Sequence, residues 1–359
     1  MRASHVKSSH PAQTTYRVIG DSEVPWEFGD YLQEYQSVRT QAAAFDLSSL
    51  GLIRLRGDVI PFLQHVLARD VEYLAPDRSL TSLVLREDGL PLAIVTLYVL
   101  DQEILVETSV GDGTALLEHF RANATPDVEI SDLRDDTCLF GVEGPYAWGV
   151  VGRVFDTGVT ALPYEAVMEM SWNGHSIVFS RSGFTGEYGY KIFAPAEAAT
   201  QLWEVLVREA TPAGERALEA AMLEVRQPVL HREGGVDVLT AAFNWLVDST
   251  KQDFVGRESV MAHTTDSVPT RTIGFSTAAT ATLEPQAAIK AAGIPIGQVL
   301  VTEFSPTLDA VVGLARIDKE FAAAGLTLSA AGPTDVDDIE VTTLPSPYVV
   351  PTSWRTPIL

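Results

Sequence analysis

Three glycines at every third position, with one carboxylate among them, make Arg181–Tyr190 (Arg-Ser-Gly-Phe-Thr-Gly-Glu-Tyr-Gly-Tyr) the segment of this 359-residue chain best suited to chemistry. Glycine admits positive φ and lets a backbone approach another body closely, at an entropic cost. A carboxylate offers two acceptor oxygens, which match a planar group presenting two parallel N–H donors. Glu187 is therefore the candidate to hold the edge of a flat heterocycle. The spacing departs from the dinucleotide-binding fingerprint, whose first two glycines stand two apart. The same residues can also serve as turn chemistry ahead of a strand, so the segment alone leaves both readings open.

Composition narrows the classes. A hydrophobic content of 46% and a charged content of 20% describe a globular chain, long enough for two or three domains. The net charge of −23, from 48 acids against 25 bases, disfavours nucleic acid and anionic membranes as partners. No apolar run reaches 18 residues, and Met1–Thr15 lacks a signal-peptide core. With one cysteine, Cys138, in an apolar run, these features point to a cytoplasmic protein with a buried structural thiol. The seven histidines are scattered without metal-ligand spacing, so no metal is expected.

The elements that must position the glycine-rich segment follow from periodicity. Helices are expected over Tyr31–Ala44, Pro61–Arg69, Gly113–Phe120 and Glu215–Arg226, with another starting near Pro195. Strands Leu80–Leu85 and Leu92–Leu100 flank the turn Glu87-Asp88-Gly89, and Ile104–Thr108 should neighbour the second of them. Asn173-Gly174 joins two strands as a hairpin just before the glycine-rich turn. Asp266–Thr270 reads as a linker, and Arg271–Leu359 as short strands forming a small barrel. The class is α+β. The expected domains are a catalytic region over 1–265, with an interwoven subdomain at roughly 52–132, and a barrel over 266–359.

Four ordered segments carry a family resemblance. They are Val38-Arg39-Thr40 leading to Phe45-Asp46-Leu47-Ser48, then Ser182–Glu187 with Gly189-Tyr190, Asp253–Glu258, and Ser305-Pro306-Thr307-Leu308. Together they resemble the folate-binding aminomethyltransferase family typified by the T-protein of the glycine cleavage system. The resemblance implies a three-domain cloverleaf with a C-terminal β-barrel and a bound tetrahydrofolate or 5,10-methylenetetrahydrofolate. It implies that Glu187 grips the pterin, with Thr81, Tyr98, Glu224 and Arg257 as further folate contacts.

The departures point to a different reaction. The positions of the family's Asp pair, one of which assists C–N chemistry, are Ala93 and Ile94 here. Alanine cannot supply the electrostatic stabilisation of a cationic centre that a carboxylate gives. A surface this acidic also disfavours the family's lipoyl carrier, itself typically acidic, leaving a small-molecule substrate as the partner. Three residues are candidates for the missing chemistry: Glu107, aligned where the family commonly has Asn, Tyr188 beside Glu187, and His231 after Leu223-Glu224. The expected function is a tetrahydrofolate-dependent one-carbon transferase, for example an O- or S-demethylase passing methyl to folate. Two alternatives are a folate-dependent one-carbon donor in specialised-metabolite biosynthesis and a non-catalytic folate-binding protein.

Overall fold

In a computed structural model, residues 1–233, 235–263, 267–332 and 338–358 are described. The expected linker residue Asp266 lies outside them. The chain divides into two compact units, one made of Met1–Val84, Leu92–Ala221 and Pro351–Leu359, the other of Leu85–Pro91 and Met222–Val350. The division falls at 221/222 and 350/351 rather than at 265/266, so the last residues return to the first unit.

Among the described residues, the first unit holds a two-stranded sheet of Thr15–Ile19 and Ser22–Glu27 and two larger sheets. A six-stranded sheet runs in the order Val167–Trp172, His175–Ser180, Gly189–Pro195, Thr137–Glu143, Ala43–Asp46, Thr211–Pro212. Helices Ala147–Val154 and Ala196–Glu209 cover it, with Val150, Val151, Leu202, Trp203 and Leu206 packed among Phe140, Phe179 and Ile192. A five-stranded sheet runs Ser79–Leu85, Pro91–Val99, Ile104–Thr108, Gly51–Gly57, Val128–Asp132. Helices Val59–Val66 and Gly113–Asn123 contribute Phe62, Leu63, Leu116 and Phe120 to its core.

Local chemistry sets the element ends. Asp30 caps the helix Tyr31–Thr40 by accepting from the N–H groups of Leu32 and Gln33. That helix stops at Thr40, short of the expected Ala44. Ala43–Asp46 pairs instead with Thr137–Glu143 as a buried strand. Here burial on both faces overrides the helical preference of an alanine run. The hairpin across Asn173-Gly174 forms as expected, Trp172 pairing with His175 and both turn residues holding positive φ.

In the second unit, a closed barrel runs Thr270–Ala278, Ala310–Asp318, Ile294–Ser305, Ala288–Ala291, Thr327–Ala331, Asp338–Leu344. Phe275, Ile289, Val299, Ile317 and Val341 fill it. Closure pairs each of these six strands on both sides. The hairpin tip Leu85–Pro91 belongs to this unit, where Gly256 and Gly89 pack closely on one another.

Candidate functional site

The glycine-rich turn is built on a carboxylate, but that carboxylate is Glu143. Its oxygens accept from the N–H of Phe184 at 3.0 Å, the N–H of Thr185 at 2.9 Å and the Thr185 hydroxyl at 2.6 Å. A Cβ at Gly183 would lie 2.9 Å from that carboxyl group, and one at Gly189 would lie 2.6 Å from the Gly183 Cα. Two of the three glycines are therefore required by the packing of the turn on Glu143 and on itself. Burial pushes the Glu143 carboxyl above its usual pKa, opposed by these hydrogen bonds and by Lys191.

Glu187 is employed differently from the expectation. Its side chain is fully buried, and Oε1 accepts from the Thr352 N–H at 3.0 Å and from Arg39 at 3.2 Å. Oε2 accepts from the Ser353 N–H at 2.8 Å and the Ser353 hydroxyl at 2.6 Å. Four donors occupy the roughly four lone-pair sites of a carboxylate, so Glu187 anchors the C-terminal segment while also lining the cavity beside the turn. Tyr188 joins the same anchorage: its N–H donates to the Ser353 hydroxyl at 2.8 Å and its hydroxyl to the Thr356 carbonyl at 2.6 Å. The Tyr188 hydroxyl is thus engaged with the C-terminal segment. Tyr188, Arg181, Tyr164, Ser353 and Trp354 line a cavity of about 340 Å³ beside the turn.

Glu107 is neither exposed nor on an edge. Its strand Ile104–Thr108 is central, paired with Pro91–Val99 through Thr96 opposite Glu107. Lys191 Nζ donates to the two Glu107 oxygens at 2.6 and 2.8 Å, with the two side chains 2% and 4% exposed. The Tyr98 hydroxyl donates to Oε2 at 2.9 Å. Burial and the Glu107 charge hold the Tyr98 phenol well above its usual pKa, so it stays a neutral donor. Phe184 places its ring 3.6 Å from Lys191 Nζ, and the Tyr98 ring meets Phe193 edge-on at 4.7 Å. The turn is thereby linked to the five-stranded sheet through a buried Tyr98–Glu107–Lys191 cluster. Two donors thus reach Glu107, against three on Glu143 and four on Glu187.

Lys191 was missed in the sequence. Its signal was a lone lysine in the apolar run Tyr190-Lys191-Ile192-Phe193, directly after the turn. Glu143, ending another apolar strand, gave the same kind of signal. The other expected residues lie as follows. Thr81 is half-buried and shares a hydroxyl contact with Thr96 at 3.1 Å. In the second unit, Glu224 is fully buried, taking the Ser305 hydroxyl on its side chain and the Tyr348 N–H on its carbonyl. Arg257 starts a short helix and donates to the Lys251 carbonyl at 2.7 Å. His231 is exposed on Leu230–Glu233. Ala93 and Ile94 are both buried, and neither supplies a charge.

These contacts bear on a bound tetrahydrofolate. A pterin edge held by two parallel hydrogen bonds needs two neighbouring free acceptors on one carboxylate. Glu187 takes four donors, and Glu143 three from its own turn. Glu107 takes the fewest donors of the three, Lys191 and Tyr98. Cys138 stands apart from this chemistry: burial pushes its thiol up to about 12. Among the described residues, no helix is long and apolar enough to cross a membrane, and no group of three or more His, Cys, Asp or Glu could hold a metal.

The family model described as GCVT N-terminal domain matches residues 9–251. An aminomethyltransferase of Thermosynechococcus vestitus is 28% identical over 318 residues, covering 87% of this chain and 86% of the relative. One from Bacillus subtilis is 27% identical over 318 residues, covering 86% and 88%. The crystal structure of glycine cleavage system aminomethyltransferase T from Bartonella henselae superposes with a TM-score of 0.89. It covers 97% of this chain and 98% of its own at 21% identity. At that identity the likeness shows the fold, a mixed helix and sheet architecture with a closed C-terminal barrel.

Proposed function

Because the chain belongs to the GCVT aminomethyltransferase family, we propose that it is a one-carbon transferase moving a methyl or methylene group between tetrahydrofolate and a small molecule. Family membership supports the folate. The residues support a change of substrate. Ala93 and Ile94 offer no carboxylate to a cationic aminomethyl group, and the ion pair of Lys191 with Glu107 makes the buried cluster neutral overall.

The observation that carries this reading is the Tyr98–Glu107–Lys191 cluster beside the glycine-rich turn. When bound, the folate supplies the nitrogen that accepts or releases the one-carbon unit. The chain's own residues hold a proton-bearing phenol and an ammonium on one carboxylate, in a dry site where such contacts are strong. This arrangement suits a neutral ether or thioether donor, whose departing heteroatom gains negative charge and needs a proton or a nearby cation. An in-line displacement of this kind depends mainly on positioning and on stabilising the leaving group.

The test is to incubate the protein with tetrahydrofolate and O- or S-methyl donors, and separately with methylenetetrahydrofolate, and to identify the folate by mass. Methyltetrahydrofolate formation supports transfer to folate, and consumption of methylenetetrahydrofolate supports the biosynthetic direction. No binding of any folate would remove the cofactor from the proposal.

A further inference from the structure

The first unit contains a cavity that the one-carbon reading does not use. Its volume is about 680 Å³, within the range typical of small-molecule sites. It runs along helix Tyr31–Thr40 and is bounded by helix Ala147–Val154, the end of Ala196–Glu209 and the edge strand Thr211–Pro212. Ile192 packs in the core with those last two helices, whereas Lys191, beside it on the same strand, reaches Glu107. Neighbouring strand residues point to opposite faces, so the cavity lies across the six-stranded sheet from the Tyr98–Glu107–Lys191 cluster.

Three features of the wall point to a ligand. The Trp148 indole N–H is buried and meets no acceptor among the described residues, a state that costs stability unless something else supplies the bond. Tyr146, two residues earlier on the same wall, is 51% exposed. Gln33 and Gln41 are both exposed and line the cavity eight residues apart, about 12 Å along the helix at its usual rise. The charges of the wall leave recognition to these neutral groups. Its one carboxylate, Glu209, is paired with Arg153 at 2.6 Å, and Arg208 donates to the Glu204 carbonyl of its own helix at 2.9 Å. Two arginines on the wall disfavour a cation, and a chain of net charge −23 disfavours an anion.

We propose that this cavity binds a neutral saccharide of at least two rings, one ring face against Tyr146 and the hydroxyls on the Gln33 and Gln41 amides and the Trp148 N–H. Hydroxyls both donate and accept, as side-chain amides do, and an indole needs only an acceptor. An aromatic ring with a polar tip suits a ligand that has an apolar C–H face and a polar edge. One sugar ring does not span the two amides, whereas two linked rings do. The site is separate from the Tyr98–Glu107–Lys191 cluster, so its failure leaves the proposed reaction untouched.

Calorimetric titration of the full chain with maltose, cellobiose and lactose tests this, with glucose as the single ring and glucuronate and glucosamine as charged controls. Saturable binding of at least one disaccharide at one site per chain is expected, several-fold tighter than glucose and than either charged sugar. Tyr146→Ala should weaken it about tenfold through loss of the ring face. Gln33→Ala, Gln41→Ala and Trp148→Phe, which keeps an aromatic ring without the N–H, should each weaken it several-fold. Thermal melts establish that each variant is folded, and Gln33→Ala, at an exposed position, provides an independent arm should Trp148→Phe fail to fold. No saturable binding of any of the three disaccharides, tighter binding of a charged sugar, or wild-type affinity in folded Tyr146→Ala and Gln33→Ala overturns the proposal.

Discussion

Lys191 Nζ sits 2.6 and 2.8 Å from the two carboxylate oxygens of Glu107, joining a strand of the six-stranded sheet to the centre of the five-stranded one. Both side chains are nearly inaccessible to water. Desolvating two charges is expensive, and the pair is sustained by its geometry and by the Tyr98 hydroxyl on the same carboxylate.

Removing one partner strands the other. Lys191→Met should cost about 3–5 kcal/mol, the usual penalty for an uncompensated buried charge. The double variant Lys191→Met with Glu107→Leu should recover most of that loss. Chemical denaturation of the three proteins measures it, and equal stability of the single and double variants would refute the pairing.

Glu187 is assigned to anchoring the segment around Thr352 and Ser353. Glu187→Leu should destabilise by roughly 2–4 kcal/mol, because buried donors on Arg39 and the segment lose their acceptor. Limited proteolysis should then cut near Trp354 well before the intact protein is cut. A variant that resists protease as the wild type does would return Glu187 to the role of a ligand grip.

Gly189→Ala places a Cβ 2.6 Å from the Gly183 Cα, a backbone contact that no side-chain rotation can relieve. A loss of about 1–3 kcal/mol is expected, as for other overpacked sites. Gly174→Ala meets no atom within 4 Å, although its φ of +85° disfavours a side chain. Comparing melting temperatures should therefore show the larger drop for Gly189→Ala, the one of the two that combines a clash with the folding of the turn.

The Cys138 thiol is raised from 9 to about 12, chiefly by burial. A pKa raised on folding means the stabilising contribution is complete below about pH 9 and is lost as pH climbs toward 12. Wild-type protein should lose more stability between pH 9 and 11 than Cys138→Ala does. In the native state at pH 8 the thiol should resist a disulfide reagent until denaturant is added, since the thiolate is the reactive form.

Much of the frame was legible from pattern. The alternation of Leu92–Leu100 and Ile104–Thr108, the Asn173-Gly174 turn and the run of short strands after Thr270 all appear as strands, a hairpin and a barrel. The extent of the first helix was not, because the fate of Ala43-Ala44 depends on a partner strand nearly a hundred residues away. The site was legible by segment more than by atom. A glycine every third residue signals close packing, but only the fold reveals that the packed group is Glu143. Likewise, Glu107 could be singled out in the sequence, whereas its partner Lys191 and the depth at which they meet depend on two sheets coming together.

As proposed, one-carbon transfer runs through a site organised by the Lys191–Glu107 pair. Its most direct test is mass analysis of the folate pool after incubation with a methyl donor that the wild type consumes. The folded Lys191→Met, Glu107→Leu double variant should be run alongside it. Methyltetrahydrofolate is expected from the wild type and at least a hundredfold less from the double variant, with its melting transition intact. Equal turnover by the two proteins would contradict it.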